Sequence, residues 1–379
     1  MKILMISTEK LPVPEVRGGA IQTYISGILP YLSGPMDITV LGISDPELPD
    51  MERTMGINFV RIPGKDFDLY AKGVVEFVAA HPFDIIHIFN RPKLVMPIRK
   101  VSPRSKIILS MHNDMFHPAK ISPEEARNAI RETSQIITIS NYIGRTIEEL
   151  YPEARGKWVT IYSGVDSERF LPAAHPAMKK VRERIRKEHG LEKKDVILYA
   201  GRLSANKGVD RLILALPEVA KKHKNIALVI VGSKWFSQND VSDYVAYVRS
   251  LAARIPIPVV NTGFVSPFEM QNWFGASDLF VCPSIWQEPL ARVHYEAMAS
   301  GLPIVTTNRG GNPEVIVPGE NGLIVEQPED PREFAEKILA ILSNPALMKK
   351  MGDKNRHLAE TYYNWKRVAG DVLKVWKSV

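Results

Sequence analysis

Short apolar runs alternate with amphipathic stretches along nearly the whole chain. Runs at 2–7, 38–41, 59–62, 85–89, 107–111, 136–139 and 159–162 predict strands, and helical periodicity predicts helices at 20–32, 70–80, 123–133 and 142–150. The strands are continuously apolar, as expected of a parallel sheet covered on both faces. The pattern breaks around 171–191, where Pro172, Pro176 and a charged helix intervene. It restarts with strands predicted at 196–200, 226–231, 259–261, 279–281, 303–306 and 322–325. Helices are expected at 209–222, 267–275, 289–300, 330–342 and 345–362.

The pattern predicts an α/β chain of two doubly wound units joined near 172–195. In open parallel sheets ligands lie outside the carboxyl ends of the strands. Two such units facing each other would line a cleft with the loops that follow their strands. RGGAIQT at 17–23 lacks the GxGxxG spacing, which argues against a dehydrogenase.

A chain of 379 residues, 45% apolar and 24% charged, has the composition of a globular protein with a sizeable core. The single cysteine, Cys282, excludes an intramolecular disulfide framework and fits a reducing compartment. MKILMISTEK turns polar too soon for a signal peptide, and no run approaches a membrane span. A cytoplasmic protein is expected. Much of the net charge of +7 sits in residues 179–194, with eight Lys/Arg against three Glu. A solvated helix explains this, and attraction to acidic substrates or peripheral contact with anionic lipid stays open. Nucleic acid is not an expected partner, because the basic stretch has no aromatic residues to stack on bases.

The most informative segment is PSIWQEPLARVHYEAMASGLPIVTTNRGGNPE at 283–314. Pro289 suits the first turn of a helix. A helix starting there puts Glu288 at its mouth and Glu296 roughly 12 Å along the axis. The carboxylates would then hold separate parts of one elongated ligand. Glu296 suits a ribose diol, and the amides of Leu290, Ala291 and Arg292 suit a phosphate or sugar hydroxyl. A plain helix with one capping and one surface Glu would show the same spacing. In GRLSANKG at 201–208, Arg202 and Lys207 precede a helix and form a candidate diphosphate site; an exposed basic loop is the alternative. Gly18 and Gly19 bring backbone amides close to a ligand or simply make a turn. His112 follows a strand, where a parallel-sheet enzyme places functional groups. No GxSxG is present, and Cys282 reads as core. The motifs DFD at 66–68 and HND at 112–114 lack partners at metal-ligand spacing, so no metal and no other cofactor is expected.

In this order the segments resemble the retaining glycosyltransferases of family 4, which have the GT-B fold. The resemblance rests on Gly18-Gly19, His112, IYSGVD at 161–166 with Phe170, Arg202…Lys207-Gly208 and Glu288-x₇-Glu296. It implies an acceptor domain over 1–172 joined by a returning C-terminal helix over 362–379, and a nucleotide-sugar domain over 173–361. It further implies Rossmann-like domains facing across a cleft, Arg202 and Lys207 on the diphosphate, and Glu296 on the ribose. Glu288 with the Leu290 and Ala291 amides would hold the donor sugar, the loop 262–265 would lie near the base, and His112 would reach over the donor sugar. The implied activity moves a sugar from a UDP- or GDP-linked donor to a hydroxyl of a glycan or other acceptor. Ala291 stands where the family has Gly, and Ser163 where it has Asn. HNDMF, GSKWF at 232–236 and the 286–316 segment also resemble a spore-coat branch of the family in bacilli. That implies spore-coat proteins as partners, incorporation into the coat and a part in coat or cell-surface glycan formation. A non-catalytic coat component with this fold is the alternative, and a nucleotide-sugar epimerase is a third reading.

Overall fold

The structure is a computed structural model and describes residues 1–379 except 33, 35 and 235–240; Trp235 and Phe236 of the GSKWF segment therefore lie outside the described residues. The chain forms two compact units, Met1–Gly164 with Trp365–Val379, and Val165–Asn364.

The first unit contains β1 (Lys2–Ile6), β2 (Asp37–Ile43), β3 (Met51–Thr54), β4 (Ile57–Ile62), β5 (Ile85–Phe89), β6 (Lys106–Met111), β7 (Gln135–Thr138) and β8 (Trp158–Thr160). Among the described residues they form one sheet in the order β3-β4-β2-β1-β5-β6-β7-β8. All neighbours are parallel except β3 on β4. β5 is buried at every position, as both-face coverage requires. The apolar pattern misses β3. Its sequence is Met-Glu-Arg-Thr, Met51 is 73% exposed, and the strand is held by hydrogen bonds at a sheet edge. Met55 (φ +53°) and Gly56 (φ +79°) make the two-residue hairpin turn that produces it.

The closing helix Trp365–Ser378 packs into this unit. A Cβ on Gly27, in the helix Ala20–Leu32, would lie 2.3 Å from the Trp365 ring, so glycine makes room for the indole. Arg367 donates to the carbonyls of Tyr162 (2.8 Å) and Ser163 (3.2 Å). Trp376 Nε1 donates to Nδ1 of His87 at 3.2 Å. Because indole only donates, His87 must carry its proton on Nε2, which donates to Ser110 Oγ at 2.7 Å. Burial, helped by the neighbouring His112, lowers the His87 pKa to about 3. The unfolded chain binds this proton below about pH 6.5 and the folded chain does not until about pH 3, so stability present at neutral pH is lost on acidification. The expected loss is about 1.4 kcal/mol per pH unit below pH 6. Urea midpoints between pH 7 and pH 4 check this; an equal slope in His87→Gln would remove His87 as its source.

The second unit contains β9 (Asp195–Ala200), β10 (Ile226–Val231), β11 (Val259–Gly263), β12 (Leu279–Cys282), β13 (Ile304–Thr307) and β14 (Gly322–Val325). These pair in parallel in the order β11-β10-β9-β12-β13-β14. The strand order reverses between β9 and β12, so the loops after those two strands flank the switch point where such sheets bind ligands. They are tied together, since Ile285 N donates to Asn206 O at 3.1 Å.

The basic stretch is partly internal. In the helix Pro176–Glu188, Arg182 and Arg186 turn inward and share Asp278. Arg182 also caps the carbonyls of Gly275 (3.0 Å) and Ser277 (2.8 Å).

The chain passes between units at Gly164 and Val165, not after 172, and returns at Asn364 and Trp365, not at 361 and 362. Val165 N donates to Tyr363 O at 2.8 Å, which ties the ends of the second unit together. Phe170 belongs to that second unit, packed edge-on against Phe274. Its carbonyl and that of Ser167 accept from Arg356, at 2.8 and 2.9 Å. Among the described residues, no helix is long and apolar enough to cross a membrane.

Candidate functional site

In the second unit the loop after β9 is built around two close approaches. Tyr199 OH donates to the Arg202 carbonyl at 2.6 Å and sets the start of the loop. Residues Ala205–Lys207 form a short 3₁₀ turn that ends on Gly208 at φ +66°. A Cβ there would lie 2.0 Å from the Pro283 carbonyl oxygen, so only glycine lets this loop meet the one after β12. The helix Val209–Lys222 follows.

This contact brings Lys207 to Glu288. Lys207 Nζ lies 2.5 Å from Glu288 Oε2 and 5.6 Å from the centre of the Trp286 ring. The same oxygen accepts from Trp286 Nε1 at 2.8 Å and Ser284 Oγ at 3.1 Å. Glu288 is only 7% exposed. Burial pushes its carboxyl up, but Lys207, Trp286 and Ser284 together pull it below its usual value, so the group is an anion at neutral pH.

The expected helix from Pro289 is corrected. Helix begins at Val293 and runs to Ala299, because Pro289 to Arg292 are held in a loop by distant residues. Gly311 N donates to Glu288 O at 2.7 Å, and Gly310 N donates to Gln287 Oε1 at 2.7 Å. Glu288 therefore lies in the loop and not at a helix mouth, and Glu296 lies in the first helical turn, not two turns inside. Glu296 is 8% exposed and pairs with Arg292 at 2.5 Å. The Ala291 amide, expected to face a ligand, donates to Asn312 Oδ1 at 3.1 Å. The Ala291 carbonyl accepts from His294 Nδ1 at 2.8 Å, and His294 Nε2 accepts from Thr306 Oγ1 at 2.8 Å. Burial lowers the His294 pKa to about 4, so the ring is neutral and its tautomer is set by these contacts. The Leu290 amide has no hydrogen-bond partner among the described residues.

A small cavity lies at the carboxyl ends of β10 and β11, lined in part by Gly232, Ser233, Arg249, Asn261 and Gly263. Cys282 ends β12 as a buried thiol, raised to about 11 chiefly by burial, in keeping with its reading as core.

In the first unit Gly18 and Gly19 take φ +80° and +106°. The Gly18 amide donates to Glu15 O at 2.8 Å, so it serves the turn. A Cβ on Gly19 would lie 2.3 Å from Gln22 Oε1. Buried Gln22 in turn donates to Thr8 Oγ1 (3.2 Å) and Leu11 O (3.1 Å). His112 directly follows β6, and its ring meets Tyr24 edge-on at 4.8 Å. Its amide and that of Asn113 donate to Asn90 Oδ1 at 2.8 and 3.1 Å. Asp66 caps the helix Phe67–Ala80 and Asp114 pairs with Lys120, which accounts for the first carboxylate of DFD and for that of HND.

Of the anticipated residues in the second unit, Lys207 and Glu288 meet directly. Sequence reasoning missed Ser284, Trp286, His294, Gly310, Asn312 and, in the first unit, Asn90. Only the donor groups of Trp286 and Ser284, within four residues of Glu288, offered a local signal.

Residues 181–358 match the profile of the glycosyl transferases group 1, and residues 33–169 that of Glycosyltransferase Family 4. The chain is 44% identical to Spore coat protein SA of Bacillus subtilis, covering all of this chain and 99% of that protein. It is 41% identical to the putative glycosyltransferase YtcC of the same organism, covering all of this chain and 92% of that protein. A GDP-mannose-dependent mannosyltransferase of Corynebacterium glutamicum is 28% identical, over 74% of this chain and 72% of that one. Among solved structures, Anabaena HepE in complex with UDP-glucose superposes with a TM-score of 0.79 at 20% identity, covering both chains completely. Two parallel-sheet units, a helix that returns to the first of them, and full-length identity of this degree lead to one conclusion: the chain belongs to the family 4 and group 1 glycosyltransferases and has their GT-B fold.

Proposed function

We propose that the protein is a retaining, metal-independent glycosyltransferase that moves a sugar from a UDP- or GDP-linked donor to an acceptor hydroxyl, in spore-coat or cell-surface glycan formation. The observation that carries this reading is the Lys207–Glu288 pair, a half-buried ammonium on a buried carboxylate, at the carboxyl ends of β9 and β12. Arg202 and Lys207 take the diphosphate, Glu296 the ribose, and Glu288 with the Leu290 amide the donor sugar. Ala291 contributes by shaping the loop, since its amide is engaged by Asn312. The loop 262–265 lies near the base in this reading. Gly18, Gly19 and His112 are donor contacts in this proposal, Gly18 through the shape of its turn.

In the reaction the bond from the anomeric carbon to the diphosphate breaks, and the bond to the acceptor oxygen forms on the same face. The acceptor proton passes to the leaving phosphate oxygen. Arg202 and Lys207 stabilise the charge that builds on that phosphate, and fixed positive charge of this kind needs no reorganisation during the step. A relative that uses GDP-mannose and a fold neighbour crystallised with UDP-glucose support both donor classes. Among the described residues no group of three or more His, Cys, Asp or Glu is arranged to hold a metal, and metal independence remains part of the proposal.

The test is incubation with UDP- and GDP-sugars plus acceptor, with and without EDTA. Nucleotide release and product anomer are read by NMR. Release that survives EDTA, with the donor's anomeric configuration retained, is expected for at least one donor. The name of the 44% identical relative favours a second reading, a structural coat component, which predicts no release from any donor. Conversion of the donor without acceptor would point to an epimerase.

A further inference from the structure

Three donors converge on one oxygen of Glu288 and leave the other unengaged. Oε2 receives the Lys207 ammonium, the Trp286 indole N–H and the Ser284 hydroxyl, at 2.5, 2.8 and 3.1 Å. Oε1 accepts no hydrogen bond among the described residues, yet it is not among their sealed, unpartnered polar atoms. A carboxylate offers about four acceptor positions across its two oxygens. Loading three donors onto Oε2 fixes the rotation of the group and keeps the acceptor capacity of Oε1 in reserve. Trp286 serves twice, because its ring face also lies 5.6 Å from Lys207 Nζ. Ser284 is itself anchored, since its carbonyl accepts from Thr307 Oγ1 at 2.7 Å.

We propose that Trp286 and Ser284 are positioning residues that clamp Oε2 of Glu288 against Lys207 and so make Oε1 the oxygen that meets the donor sugar. The catalytic consequence rests on the glycosyl-transfer reading above; the clamp itself does not. Without it the carboxylate is free to rotate and Lys207 loses its fixed seat. Donor binding through other groups is then little changed, while the bound sugar is less well placed for the chemical step.

The titratable groups that interact with Glu288 are Lys207 after β9, Tyr199 on β9, Cys282 at the end of β12 and His294 in the helix Val293–Ala299. The Cys282 thiol is protonated below about pH 11, whereas His294 titrates at about 4, in the acid range where Glu288 also titrates, so the carboxyl signal of Glu288 itself is what separates the two.

The experiment labels the protein with ¹³C at the Glu side-chain carboxyl and assigns Glu288 through Glu288→Gln. Trp286→Phe keeps the aromatic face and deletes the N–H; Ser284→Ala deletes the hydroxyl and Ser284→Thr restores it. Trp286→Phe and Ser284→Ala are each expected to raise the Glu288 titration by about one pH unit, and Ser284→Thr to return it. In turnover, kcat should fall about tenfold with donor KM within about twofold, and the acid limb of kcat/KM should move up with the titration. If Trp286→Phe fails to fold, the Ser284 pair carries the test alone. A Glu288 titration that stays put in the folded variants overturns the clamp, whether or not any donor turns over. A wild-type protein that releases no nucleotide from any donor overturns the glycosyl-transfer reading instead, and the carboxyl titration still decides the clamp.

Discussion

Lys207→Met is expected to lower the stability of the second unit by about 3–5 kcal/mol and to reduce donor turnover by roughly 10²–10³-fold. The two losses have different causes. Glu288 is buried and Lys207 half-buried, with side-chain exposures of 9% and 16%, and removing the ammonium leaves a carboxylate in a site that burial alone would neutralise. In the wild type the Glu288 carboxyl is depressed, so its contribution to stability is present above its ordinary value and is lost as pH falls through the folded value. In Lys207→Met burial wins, the carboxyl rises above its unfolded value, and the direction reverses: the variant loses stability as pH climbs through the raised value. The double variant Lys207→Met/Glu288→Gln removes both charges and should recover more than half of the lost stability, because an uncharged pair costs far less to bury. Turnover should not recover. Urea denaturation of the single and double variants, with nucleotide release measured on each, separates the two effects. Full turnover in Lys207→Met would end the role assigned to it.

Gly310→Ala should destabilise the second unit by about 3 kcal/mol or more and suppress turnover with it. Gly310 sits at φ +60°, and a Cβ there would lie 1.9 Å from the Glu288 carbonyl oxygen and 2.7 Å from its nitrogen. Those are backbone atoms and cannot swing aside as a flexible side chain would. The loop that carries Glu288 must therefore move, and the hydrogen bonds from Gly310 and Gly311 that shape it are strained or broken. Gly319→Ala is the matched control. Its φ is +82°, but nothing lies within 4 Å of the added methyl, so only the conformational cost of about 1 kcal/mol should appear. Equal denaturation midpoints for the two variants would show that the left-handed backbone, and not the contact, sets the cost.

The parallel strands were legible because a buried strand writes an uninterrupted apolar run, as at 85–89 and 226–231, where prediction and structure coincide. β3 was not, because an edge strand held by backbone pairing needs no apolar side chain. Lys207 and Glu288 were legible as unusual residues in loops beside helices. Their mutual contact was not, since it depends on a glycine at 208 admitting the Pro283 carbonyl, 75 residues away. Pro289 misled for a physical reason. Proline suits a first helical turn, but it equally suits the extended loop that Gly310, Gly311 and Asn312 impose from the far side of β13. The excess of basic residues at 179–194 likewise looked like surface charge, whereas Arg182 and Arg186 are spent on Asp278 and on carbonyls of neighbouring elements.

The bridge between Val165 and Asn364 has a consequence for biosynthesis. A ribosome delivers the whole of 165–364 before the helix that carries Trp365 and Trp376. By Asn364 the second lobe has all its own segments, while the first still lacks the indoles that fill the space beside Gly27 and cover His87. The lobe translated first is thus the last to be completed.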